Sequence, residues 1–189
     1  MKFEANALPG DAEPGAGRRP SAGRTLSLKG RALRYLSARE HSRAELQTKL
    51  ARYAEEAGEG PDAVARVLDE LTAKGFISEA RVAESVIHRR AGRLGNARVL
   101  QELRAKGLPD DIVQNAAEQL RATEDERAYA VWARKFGRAP ADLAERARQM
   151  RFLAGRGFSG ASVSRVLRAA SSGEAWPHVP GDVSGSDDA

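Results

Sequence analysis

Two stretches of this chain gather arginine with no intervening acid. Arg89, Arg90, Arg93 and Arg98 lie between Glu84 and Glu102; Arg146, Arg148, Arg151, Arg156, Arg165 and Arg168 follow Glu145, and the next acid is Glu174. A guanidinium is a planar fork of donors that fits phosphate and carboxylate alike. The runs therefore point to a polyanion or an acidic protein surface, without choosing between them. Arginine spread over solvated helix faces is the plainer reading of the same charge. Because the first run has no internal partner close by in sequence, its side chains are expected to face a partner.

The remaining reactive residue types do not converge. His41, His88 and His178 are far apart and show no metal-ligand spacing. Asp110 and Asp111 form a carboxylate pair, but they directly follow Pro109, where acids favour the positive end of a helix; capping is expected there, not catalysis. The chain has no cysteine, which removes disulfides, thiolate metal sites and cysteine nucleophiles together. Phosphate-binding glycine loops, HExxH and GxSxG are also missing. The sequence reads as a binding protein, not an enzyme, and no metal or cofactor is expected.

Charge is unevenly spread along the 189 residues, whose net value is +5. Residues 122–170 hold ten basic and five acidic side chains, whereas 171–189 hold four acids and no lysine or arginine. Such a basic body suggests an acidic partner. Stacking aromatics of the kind single-strand binders use are not interleaved with the arginine runs, and Phe152 and Phe158 suit helix packing better. No apolar run approaches the length that spans a membrane, and the N-terminus has no apolar signal segment; a cytoplasmic monomer is the expectation.

The elements that must position these arginines are helices. Alanine, leucine, arginine and glutamate dominate, and aromatics make up 5% of the chain. From Ser27 to Ala170 the apolar residues recur at i, i+3, i+4 and i+7. Examples are Leu46, Leu50, Tyr53 and Ala54; Val64, Val67, Leu68 and Leu71; Val82, Val86 and Ile87; Ile112, Val113, Ala116 and Leu120; and Val163, Val166, Leu167 and Ala170. Ser42 with Glu45 and Thr123 with Glu126 have the spacing of capping boxes, and Pro61, Pro109 and Pro140 are placed where first-turn prolines are tolerated. About nine short helices result. Pro- and Gly-rich tails flank them at 1–26 and 171–189, and disorder is expected in both; Trp176 reads as a lone tail aromatic.

Three helices end alike, in "ELTAKGFISE", "ELRAKGLPDD" and "FLAGRGFSGA". Gly75, Gly107 and Gly157 can each take the left-handed conformation that stops a helix, after which an apolar residue folds back on it. With whole helices aligned, Leu50, Leu103 and Leu153 become equivalent. The chain then divides into three three-helix modules at 27–78, 79–121 and 122–170. In that register Gly75 closes a third helix, whereas Gly107 and Gly157 close second helices. Tandem units of this length stack into an elongated, curved all-α body. A helix-turn-helix reader of DNA is a rival reading of the first module, in which "SRAELQTKL" precedes a later helix.

Three segments resemble the RecX family in order. "GFISEARVAESVIHRRAGRLGNARVLQELRAKGLPDDIV" (75–113) is similar to the family's central segment, "LRYLSAREHSRAELQTKL" (33–50) to its first module and "RQMRFLAGRGFSGASVSRVLR" (148–168) to the close of its third. The resemblance implies three tandem three-helix repeats. It also implies a function: binding the RecA recombinase and RecA filaments on single-stranded DNA, mainly to inhibit them in recombination, repair and the SOS response, with a weak direct affinity for DNA besides. It carries over no catalytic residue and no short binding motif, so the ten arginines are candidates on charge alone. Val82 stands where the family usually has Phe. A basic helical protein that acts on single-stranded DNA without RecA is the alternative.

Overall fold

The computed structural model describes residues 26–173 and Trp176. Among them are nine helices and no strand. Helices α1 (Leu28–Ala38), α2 (Arg43–Glu56) and α3 (Pro61–Ala73) form the first module. The second comprises α4 (Glu79–Arg90), α5 (Asn96–Ala105) and α6 (Asp110–Ala122), and the third α7 (Glu124–Lys135), α8 (Leu143–Gly155) and α9 (Gly160–Ser172). The disorder expected of the tails concerns residues almost wholly outside the described ones. Trp176 is an exception. It stacks on Tyr129 of α7, with ring centres 4.9 Å apart and planes 14° from parallel, so it belongs to the body.

Each module buries its own core, as the helical spacing requires. Leu46, Leu50, Ala54, Val64, Leu68 and Leu71 meet in the first, and Val82, Val86, Val99, Leu103, Val113, Ala116 and Leu120 in the second. Trp132, Leu153, Phe158, Val163, Val166 and Leu167 fill the third. Val82 is 1% exposed, so the smaller side chain is accommodated in a closed core. In the third core Trp132 Nε1 donates to Gln149 Oε1 at 2.7 Å, which satisfies two buried polar groups at once.

The three glycine closures form as expected. Gly75, Gly107 and Gly157 have φ of +72°, +71° and +86°, where a Cβ is strained. Each N–H bonds the carbonyl three residues back, and the next N–H reaches five back: Phe76 to Leu71, Leu108 to Leu103, and Phe158 to Leu153. Leu108 and Phe158 then fold into their cores, but Phe76 is 48% exposed and Ile77 takes the buried place. Gly58, at φ +69°, closes α2 by the same bonding and is the true counterpart of Gly107 and Gly157. The polar Glu59 after it hides the likeness.

Three helix-start expectations fail. The Ser42–Glu45 capping box forms, but at Thr123 only one residue separates α6 from α7. Thr123 must close one helix and open the next, at φ −117° and ψ 7°, and its hydroxyl accepts from Arg127 Nε instead. Pro61 is the first residue of α3, but Pro109 is the N-cap of α6, and Pro140 precedes Asp142, the N-cap of α8.

Candidate binding surface

The modules join end to end through their second helices. The C-terminus of α8 meets the N-terminus of α5, whose own C-terminus meets the N-terminus of α2. At the first junction, Ser42 Oγ donates to the Lys106 carbonyl at 2.6 Å and Lys106 Nζ reaches Glu45 Oε1 at 2.8 Å. At the second, the backbone N–H groups of Gly95 and Ala97 donate to the carbonyls of Arg156 and Gly157 at 2.9 and 3.1 Å. At the second junction orphan donors of one helix thus satisfy orphan acceptors of the other.

The first residue of the following module completes each joint. Glu79 Oε1 accepts from the N–H of Arg43 at 2.9 Å, and Glu124 Oε1 accepts from those of Asn96 and Ser159 at 3.4 and 3.2 Å. Arg127 then ties modules two and three. Its half-buried guanidinium donates to the carbonyls of Ala91, Leu94 and Leu120 and to Asn96 Oδ1.

This second junction brings the two arginine runs together. Arg93, on the α4–α5 connection, and Arg156, the C-cap of α8, line one hollow of about 290 Å³ with Val131, Arg134, Lys135 and Phe152. Four cations surround an apolar floor, and no carboxylate lines it. The Arg156 guanidinium carbon lies 3.6 Å from the centre of the Phe152 ring, and Arg134 Nη2 bonds the Gly92 carbonyl at 2.6 Å. Both contacts hold these cations in place. A second hollow at the same junction, of about 560 Å³, includes Glu124 and Asp125 beside Arg121 and Arg165 and so has no single sign.

The other candidates do different things. Arg90 Nε pairs with Glu102 Oε2 at 2.9 Å, so the first run does have an internal partner, twelve residues along the chain on α5. Arg165 grips Asp125 with two bonds of 2.6 and 2.8 Å, holding that carboxyl below its usual range. Both cations are paired within the chain although about half-exposed, contrary to the expectation that the arginines have no internal partner. Arg89 bonds the Ser85 carbonyl of its own helix at 3.0 Å. Arg98 reaches Gln101 at 3.4 Å, and its stem packs over Gly157. Arg148 lies 5.6 Å from the Phe136 ring centre, Arg146 is half-buried, and Arg151 and Arg168 are exposed.

Arg134 and Lys135 were not among the sequence candidates. In the last turn of α7 they read simply as cations complementing a helix dipole, and only the docking of module three on module two gives them a shared target. Asp110 and Asp111 stand in the first turn of α6, as their position after Pro109 suggests. His41 is 3% exposed; burial lowers its pKa, and Nδ1 lies 3.1 Å from the Arg39 carbonyl. His88 is exposed, and His178 lies outside the described residues. Among the described residues no cluster of histidine and carboxylates could hold a metal, and no helix is long and apolar enough to cross a membrane.

Fold and surface together define an all-helical protein of three tandem modules, with a one-signed basic hollow between the second and third. The chain belongs to the RecX family. Family models of the first, second and third three-helix domains of RecX match residues 29–71, 78–116 and 123–167. It is 57% identical over 145 residues to the regulatory protein RecX of Leptothrix cholodnii, covering 77% of this chain and 90% of that one. Identity to the Ralstonia nicotianae protein of the same name is 55%, covering 77% and 89%. The crystal structure of RecX from Lactobacillus salivarius superposes with a TM-score of 0.62 over 76% of this chain and 94% of that one; at 19% identity this supports the fold alone.

Proposed function

We propose that this protein binds the RecA recombinase, including its filaments on single-stranded DNA, and restrains filament activity without catalysing a reaction. The hollow at the second junction is its contact. The observation that carries the reading is the convergence there of Arg93, Arg134, Lys135 and Arg156 with no lining acid, in a chain of the RecX family. Acidic side chains on a filament can enter this site, and Val131 and Phe152 offer apolar contact beside the charge. Binding to one subunit need not be strong. A molecule of three modules that spans several subunits gains avidity from repeated weak contacts. As a regulator of a DNA recombinase, the protein acts as a monomer in the cytoplasm.

Co-sedimentation tests this. With RecA filaments formed on single-stranded DNA, the protein is expected in the pellet, at a level well above that carried down by the same DNA alone. Equal recovery on DNA without RecA would favour the direct DNA reading, and recovery on neither would end the proposal.

A further inference from the structure

Trp176 fixes where the acidic end of the chain leaves the body. Its ring stacks on Tyr129 of α7 and packs against the third core. The same helix carries Arg134 and Lys135, two of the four cations in the hollow at the second junction. Beyond Trp176 the charge is of one sign: residues 177–189 hold Asp182, Asp187 and Asp188, with no lysine or arginine. The acidic segment thus sets out from a helix that offers the opposite charge. That charge is not used elsewhere. Arg90 and Arg165 have carboxylate partners, whereas Arg93, Arg134, Lys135 and Arg156 form no ion pair among the described residues.

The surface between the anchor and the hollow is open. Around the axis of α7, Ala133 and then Ala130 fall between Tyr129 and Arg134. Ala130 and Arg134 are exposed and Ala133 is half-buried, so this flank meets solvent over small side chains. Its exposed acid, Glu126, stands behind Tyr129, towards the N-terminus of α7 and away from the hollow. Turning about 140° around a helix and advancing five residues along it covers roughly 15 Å. Extended chain spans about 3.3 Å per residue. The six residues from Pro177 to Asp182 therefore suffice to reach Arg134, and Asp187 and Asp188 lie far enough along the chain to pass into the hollow beyond it.

We propose that the acidic segment 177–189 occupies the basic hollow of its own chain and competes there with the acidic surface of a partner. The competition rests on the hollow being the RecA contact; the seating of the segment does not. Three aspartates need bind only weakly, because a short tether holds them near the hollow at an effective concentration on the order of millimolar. A partner must displace them. Its apparent affinity then falls by the fraction of molecules whose hollow is free. The chain carries its own restraint on the surface by which it restrains others.

The chain has no cysteine, so Ser184→Cys in the full chain gives a single attachment point for a nitroxide. At low salt its paramagnetic broadening should fall on the amide signals of Arg93, Arg134, Lys135 and Arg156, and fade as added salt screens the contact. Uniform broadening, or broadening centred on module one, would overturn the seating. Changing Asp182, Asp187 and Asp188 to asparagine touches none of the described contacts of the body. It should abolish the broadening and tighten binding to RecA filaments at low salt about threefold or more. The same three changes made together with Arg93→Ala, Arg134→Ala, Lys135→Ala and Arg156→Ala should gain nothing; an equal gain there would mean general charge repulsion and overturn the competition. Broadening at the hollow with filament affinity unchanged by the three asparagines would support the seating and remove the hollow as the RecA contact, which separates the two readings.

Discussion

The two junctions solve one problem with different atoms. Both bring the C-terminus of a second helix onto the N-terminus of the second helix before it. At the first, side chains mediate: the hydroxyl of Ser42, the carboxylates of Glu45 and Glu79, the ammonium of Lys106, and an Arg81–Glu40 pair at 2.8 Å. At the second, Glu124 and Arg127 also bond across, but here backbone meets backbone as well, because the N-cap of α5 is Gly95 and leaves room for the carbonyls of Arg156 and Gly157 to approach. A joint made by charged side chains responds to pH and salt, and its geometry can adjust. The peptide-to-peptide bonds of the second joint do neither. The basic hollow and its four cations lie at the second joint.

Substitution at the helix-start position should separate the joints most sharply. A Cβ on Gly95 would overlap the Gly157 carbonyl group and the Phe158 nitrogen, and backbone cannot swing aside. Gly95→Ala is expected to cost about 3 kcal/mol or more in denaturant unfolding, or to open the joint outright. The matching change, Ser42→Ala, deletes a cap and one cross-joint bond and should cost only about 1–2 kcal/mol. Similar losses at both sites would erase the distinction.

Arg127→Met comes next. It leaves three carbonyls and the Asn96 amide without their donor at a half-buried site, for an expected loss of about 2–3 kcal/mol. Limited proteolysis should then release module three, while modules one and two stay protected. Gly107→Val tests the closure at the first joint. It places a β-branched residue at φ +71°, with a Cβ 2.7 Å from that of Ala44, and about 1–2 kcal/mol should be lost. An unchanged melting temperature would show that neither the conformation nor the contact matters.

The smallest effect is a pH dependence at the first joint. Burial raises the Glu45 pKa, but hydrogen bonds from Arg39, Lys106 and the Ser42 N–H outweigh it and hold the carboxyl at about 2, against an ordinary 4.5. Its stabilising contribution is therefore complete above the ordinary value and disappears as pH falls from about 5 towards 2. Glu45→Gln should lower stability at pH 7 by about 1 kcal/mol and narrow its gap to wild type as pH falls through that window. A gap that does not narrow would place the acid sensitivity elsewhere.

How much of this was legible depends on how local each cause is. Helix spacing and left-handed glycine closures are properties of a few neighbouring residues, so the all-helical repeat could be read directly. Contacts across modules could not. Glu102 and Asp125 find Arg90 and Arg165 only after helices pack, and Arg134 and Lys135 acquire a common target with Arg93 only at the second joint. Local rules also fail where two structures claim one residue, as at Thr123. Trp176 shows the same limit, since nothing near it in sequence reveals that Tyr129 is waiting.

The most direct test of the central claim, that the hollow is the contact with RecA, substitutes all four of its cations. A variant carrying Arg93→Ala, Arg134→Ala, Lys135→Ala and Arg156→Ala would be titrated against the DNA-dependent ATPase of RecA filaments, with circular dichroism confirming its helices. If each charge-assisted contact contributes about 1 kcal/mol, the concentration for half-inhibition should rise tenfold or more. Restraint at wild-type concentrations by a fully helical variant would contradict the account.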